Sequence, residues 1–245
     1  MASQLALFLF FLVVLLLTLL VSRRRRPSTL RSIAAFETLS GQVGRAAESG
    51  QMLHLSLGTR GVGGSDTVTS LAGLSVLAHL AEQGVATDTP LLVTVSDPTL
   101  LPLAQNVLRQ AYVRRGRGND FRWTQVQLVS PSPAAYALGA MDILSHEPVL
   151  ANVMFGSFGP EVGLITHAGA TANLVQIGGT DDPQALSILY AGTDRAVVGE
   201  ELYATDAYLN PTTAKLASLA AEDVVRIILI LIVVIGAILN LLGAL

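Results

Sequence analysis

The stretch M-L-H-L-S-L-G-T-R-G-V-G-G-S-D, residues 52–66, decides the fold. Its first part, Met52–Leu57, is short and leucine-rich, as in a strand buried on both faces. Its second part, Gly58–Asp66, places glycines at 58, 61, 63 and 64 and ends on an aspartate. From Asp66 to Gln83, apolar residues recur at helical spacing, with Leu71, Leu74, Leu77, Ala78 and Ala81 on one face. Strand, glycine-rich turn and helix make the first half of a βαβ unit.

The same alternation continues outward. Strands are expected at Leu91–Ser96, Thr124–Val129, Val149–Phe155 and Asn173–Ile177. Helices are expected at Pro98–Arg115, Pro133–Ser145 and Glu161–Ala170. Beyond Ile177, Asp182-Pro183 and Thr193-Asp194 resemble helix starts, which predicts helices over Pro183–Tyr190 and Arg195–Leu209. Ala185–Ala191 has an edge strand as its alternative. On the amino side, Thr29–Gly50 reads as a helix with an apolar stripe through Leu30, Ile33 and Ala34. The fold class is therefore α/β: a mostly parallel, Rossmann-like sheet with right-handed crossovers and helices on both faces.

Two apolar runs flank this domain. Leu5–Val21, extended to about 21 residues by its neighbours, is long enough for a hydrocarbon core of about 30 Å. Arg23, Arg24, Arg25 and Arg26 follow at once, and Pro27 ends the helix. A cleaved signal peptide carries its charge before the apolar stretch. Here the charge comes after it, which predicts an uncleaved anchor with the arginines on the cytoplasmic side. The second run is Val224–Leu245, with Arg226 near its entry, placed to snorkel to the interface. Gly236, Asn240 and Gly243 share one face of it and suit helix–helix packing; alternatively Asn240 is wet at the outer interface. The expected organisation is a transmembrane helix at 1–22, a basic juxtamembrane segment and helix at 23–50, and the α/β domain at 51–210. A juxtamembrane segment at 211–223 and a transmembrane helix at 224–245 complete it. This predicts a two-pass protein of the plasma (inner) membrane, with both termini outside and the α/β domain cytoplasmic.

The loop 58–66 is the leading candidate for a ligand site. It lies between first strand and first crossover helix, where doubly wound folds bind phosphates. The candidate residues are Gly58, Gly61, Gly63, Gly64 and Ser65, with Asp97, after the second strand, as a partner for a ribose hydroxyl. The loop departs from the dinucleotide fingerprint. It is not G-x-G-x-x-G, and Asp66 stands where Gly or Ala is expected. Asp97 follows Gly64 by 33 residues rather than about 20. Three readings stay open: a dinucleotide site, a site for another ligand or a partner chain, and a structural turn with Asp66 as helix N-cap.

Other chemistry is thin. The single lysine, Lys215, rules out a P-loop, which needs G-K-[ST]. With no cysteine there is no disulfide, thiolate nucleophile or Cys-type metal site. His54, His79, His146 and His167 fit no zinc spacing, so no metal and no cofactor are implied. Glu161 and His167 could share a crevice after the fourth strand. Ser157 lies in G-S-F-G rather than G-x-S-x-G and is no nucleophile elbow. Arg109, Arg114, Arg115, Arg117 and Arg122 gather at a helix end, either as dipole compensation or as a contact for anionic headgroups.

Composition bears on partners. The chain is 51% hydrophobic and only 13% charged, with a net charge of −3 that gives no nucleic-acid footprint. A domain so poor in charge either has a neutral Ser/Thr/Gln/Asn surface or is covered by other chains. The layout, with G-T-R-G-V-G-G-S-D at 58–66 and A-G-T-D-R-A-V-V-G-E-E-L-Y-A at 191–204, resembles an uncharacterised family of bacterial membrane proteins. In that family terminal helices flank an α/β domain of unknown function. The resemblance implies the architecture and no activity. The expected function is a structural or interaction subunit of a membrane-associated assembly, partnered by the lipid bilayer and by itself or other subunits. The rival is a nucleotide- or metabolite-binding, even enzymatic, domain using the glycine-rich loop.

Overall fold

Strand β1 (Met52–Gly58) forms where leucines alternate with small polar residues. Leu53, Leu55 and Leu57 enter one core and His54 and Ser56 are buried on the opposite side. Burial on both faces makes it the central strand, and it pairs in parallel with both β2 (Leu91–Val95) and β4 (Val149–Ser157). With β3 (Val126–Leu128), β5 (Val175–Gly179) and β6 (Arg195–Val197) it forms a six-stranded sheet of order β3-β2-β1-β4-β5-β6. Every pairing is parallel. This is the classic doubly wound order, whose switch point lies between β1 and β4.

These features come from a computed structural model, which describes residues 10–13, 15, 16, 20 and 31–241. Ser32–Leu209 forms one compact unit, and the terminal segments form another. In the first unit α1 (Ala34–Ser49), α2 (Thr67–Thr87) and α3 (Leu100–Arg114) share one core with the leucine side of β1. On the other face α4 (Pro133–His146), α5 (Val162–Thr171) and α6 (Pro183–Gly192) form a second core around Tyr136, Met154, Phe158 and Ile165.

Helix α1 runs from the carboxyl edge of the sheet to the amino edge. Near its start Phe36 stacks on Phe155, late in β4, and on Tyr208 in the short helix α7 (Thr205–Leu209), with centroids 6.4 and 5.4 Å apart. Near its end the Val43 carbonyl accepts from Thr89 Oγ1, just before β2 (3.3 Å). Gly50, at φ +68°, stops α1 in the left-handed conformation. The chain thus enters and leaves this unit at the carboxyl edge.

Two expectations need correction. Arg195–Leu209 is not one helix: it is β6, a 3-10 turn at Gly199–Leu202, and α7. Asp194 fixes the difference, because its N–H donates to the Gln176 carbonyl (2.9 Å) and its carboxylate accepts from the Gln176 N–H (2.8 Å). That lays the next residues alongside β5. The edge-strand alternative at Ala185–Ala191 also fails, since α6 covers it and Asp182 caps that helix through the N–H groups of Gln184 and Ala185.

In the terminal unit, α8 (Thr213–Leu241) carries exposed Ile227, Leu229, Ile230 and Val233. Phe10, Phe11, Leu15 and Leu16 are exposed as well. Among the described residues, no helix is long and apolar enough to cross a membrane. Most of the run Leu5–Val21, the arginines 23–26 and Gly243 lie outside the described residues, as do the side chains of 231, 232 and 235–241, including Asn240 and the Gly236 position. Arg226 is exposed and lies 3.7 Å from Asp223.

Candidate functional site

At the switch point the loops after β1 and β4 face each other, and they are joined. Gly58 has φ +90°, and a Cβ there would strike the Ser157 backbone. The next residue donates its N–H to the Ser157 carbonyl (Thr59 N to O, 2.8 Å). Thr59 Oγ1 donates to Glu161 (2.8 Å), which also accepts from Gly159 N–H (2.8 Å). Asp66 accepts from Ser157 Oγ (3.0 Å), Arg60 (3.2 Å) and Ser65 Oγ (3.2 Å). Partial burial pushes the Asp66 pKa up, but the Ser157 hydrogen bond, the Arg60 charge and the Ser65 bond together hold it below its ordinary value.

The glycine-rich loop folds onto itself. The N–H groups of Gly63 and Gly64 donate to Thr67 Oγ1 at 3.0 and 3.2 Å, and that of Val62 donates to Thr99 Oγ1 at 3.0 Å. In a phosphate-binding loop such amides point outward at the anion. Gly61 packs closely against the Asp97 carboxyl and the Thr99 hydroxyl, so a Cβ there would displace these side chains. Asp97 accepts from Thr99 N–H (2.7 Å), so it caps the approach to α3. Gly63 (φ +112°) and Gly64 border open space, and Ser65 is exposed.

The structure therefore brings Gly58, Gly61 and Asp97 into one cluster and leaves Gly63, Gly64 and Ser65 on its rim. Asp66 does not cap α2 with its side chain, contrary to the structural-turn reading, because its carboxylate is turned to Ser157 and Arg60 instead. The edge is acidic: Asp66, Asp97, Glu161, Asp181 and Asp182 stand on it with Arg60, which disfavours an anionic ligand. Among the described residues no group of three His, Asp or Glu side chains is placed to hold a metal ion.

Glu161 and His167 part company. Glu161 belongs to the switch-point cluster, whereas His167 lines a groove of about 490 Å³ between α5 and α6 with Gly163, Ala170 and Ser187. The arginine cluster lies at the amino edge. Arg114 pairs with Glu82, and Arg117 pairs with Asp88 and with Asp120 (2.7 Å). Both acids hold the Arg117 pKa above its ordinary value.

Sequence reasoning missed a buried polar row across the sheet. His54 Nδ1 meets Asn152 Oδ1 at 2.8 Å, and His54 Nε2 meets Thr94 Oγ1 at 3.0 Å. Asn152 Nδ2 donates to Gln176 Oε1 (3.1 Å), and Tyr136 OH joins Ser56 and Thr94. Burial lowers the His54 pKa to about 4 against the opposing pull of Asn152, and raises that of Tyr136 to about 12. The signal was one polar residue on the same face of each of several apolar strands; only the strand register aligns them.

A family model for a domain of unknown function, DUF6754, matches residues 1–245. No curated protein and no solved structure matches the chain. From end to end, this chain belongs to the DUF6754 family.

Proposed function

We propose that this protein is a membrane-anchored, non-catalytic α/β module, a structural or interaction subunit of a membrane-associated assembly. The carrying observation is the state of the carboxyl edge. A sheet of this order offers a ligand crevice there; here Thr59, Asp66, Ser157 and Glu161 tie its walls together, and the loop amides turn to Thr67 and Thr99. Anchoring is supported by exposed apolar side chains such as Phe10, Phe11, Leu15, Leu16, Ile227, Leu229, Ile230 and Val233, and by the four arginines after the first run. Both termini lie outside and the domain is cytoplasmic. Native membranes washed with alkaline carbonate should retain the chain; release into the wash contradicts the anchor.

A second reading has the strand order in its favour: a nucleotide or metabolite at Gly58–Asp66. A ligand at 100 times its Kd stabilises by about 2.7 kcal/mol, which raises Tm by roughly 5–10 °C in a domain of this size. The expected result with a nucleotide panel is no such shift. A shift that disappears in Gly63→Val and Asp97→Ala would move the assignment to this second reading.

A further inference from the structure

Arginines gather at the amino edge of the sheet. Five of the eight arginines between Ser32 and Leu209 fall between positions 109 and 122. Arg117 is an internal strut: besides its two aspartates it donates to the Val85 carbonyl (3.2 Å), fixing the loop after α3. Arg109, Arg115 and Arg122 are exposed and have no ion pair among the described residues. Beside them Tyr112, Phe121 and Trp123 form an aromatic ladder, with centroids 6.0 and 4.9 Å apart. Trp123 is 59% exposed and Val113 54%. A cleft of about 240 Å³ opens alongside, lined by Val85, Tyr112, Arg122 and Gln125 and by Asp88 and Asp120, whose carboxylates are engaged by Arg117.

An exposed tryptophan packed on two further aromatic rings, with exposed arginines on the same helix end and loop and a cleft alongside, has the composition of a binding hot spot. We propose that this patch docks an acidic segment of a partner protein, with an apolar side chain seated against Trp123 and carboxylates on Arg109, Arg115 and Arg122. The inference rests on the interaction reading above and gives it a surface and a partner class. Charge complementarity selects the partner, since three arginines here have no acid of their own. A discrete cleft beside the aromatic rings favours a peptide over a lipid surface, since a bilayer face does not enter it.

Trp123 is the only tryptophan, so intrinsic emission reports on this patch alone. The full chain in an uncharged detergent is titrated with a synthetic glutamate-rich peptide containing leucine, and separately with anionic phospholipid vesicles. The expected result is a saturable blue shift with the peptide that weakens with salt. The triple change Arg109→Glu, Arg115→Glu, Arg122→Glu should weaken it roughly tenfold or more. All three side chains are exposed, so an unchanged melting temperature verifies the fold of that variant. No saturable change at millimolar peptide, or equal binding by the triple variant, overturns the proposal. A blue shift with anionic vesicles and none with peptide also overturns it and assigns the patch to lipid. Particle mass reads the assembly separately: a monomer would remove the assembly reading without altering this titration.

Discussion

Gly58→Ala should cost about 4 kcal/mol or more, a large share of a typical domain stability of about 5–15 kcal/mol, and lower the melting temperature sharply. The added Cβ meets the Ser157 backbone, which is held by Thr59 N–H and by strand pairing and has nowhere to go. The left-handed φ of +90° adds about 1–2 kcal/mol for any L side chain. Gly64→Ala is the contrast, because a Cβ there meets open space and should change stability by less than about 1 kcal/mol. Thermal denaturation followed by circular dichroism measures both. Equal, small effects would mean that the β1–β4 loop contact is looser than described and that the crevice can open.

His54→Ala should destabilise by about 3–5 kcal/mol. It leaves Asn152 Oδ1 and Thr94 Oγ1 each short of a buried partner and opens a cavity at the centre of the sheet. The same histidine makes stability depend on pH. Folded, it stays neutral down to about pH 4; unfolded, it takes a proton below its ordinary value of 6.5. The unfolded state therefore binds more protons between these values, and its contribution, complete above about pH 6.5, is lost as pH falls toward 4. The loss amounts to about 3 kcal/mol at the conversion of about 1.4 kcal/mol per pH unit. Denaturant midpoints at pH 7 and pH 4.5 should differ for the wild-type chain and differ less for His54→Gln. Parallel pH dependence in the two would show that His54 is solvated in the folded state.

The alternation of strands and helices was legible because each central strand is a short apolar run and each helix repeats its apolar face. Six-strand order was not legible, since crossover spacing is the same whichever side of β1 the next strand joins. The start signal at Thr193-Asp194 misled because Asp194 spends its polar groups on Gln176 rather than on a helix. The edge pairing to β5 then overrides local propensity. The place of the glycine-rich loop was legible; its role was not. What decides that role is Asp66 with Ser157 and Thr59 with Glu161, contacts between residues 91 and 102 positions apart in the chain. Likewise, Trp123 and the arginines were visible as residues, but their shared edge, remote from the chain's entry point, needed the topology.

An assembly module, unlike a lone ligand-binding domain, leaves the native membrane together with other chains. Extraction in a mild detergent, followed by mass measurement of the intact particle and identification of its members, separates the two. The predicted result is a particle well above the 25.7 kDa of one chain, built from copies of it or from other subunits. A monodisperse particle of one chain, with nothing co-purifying, would contradict it.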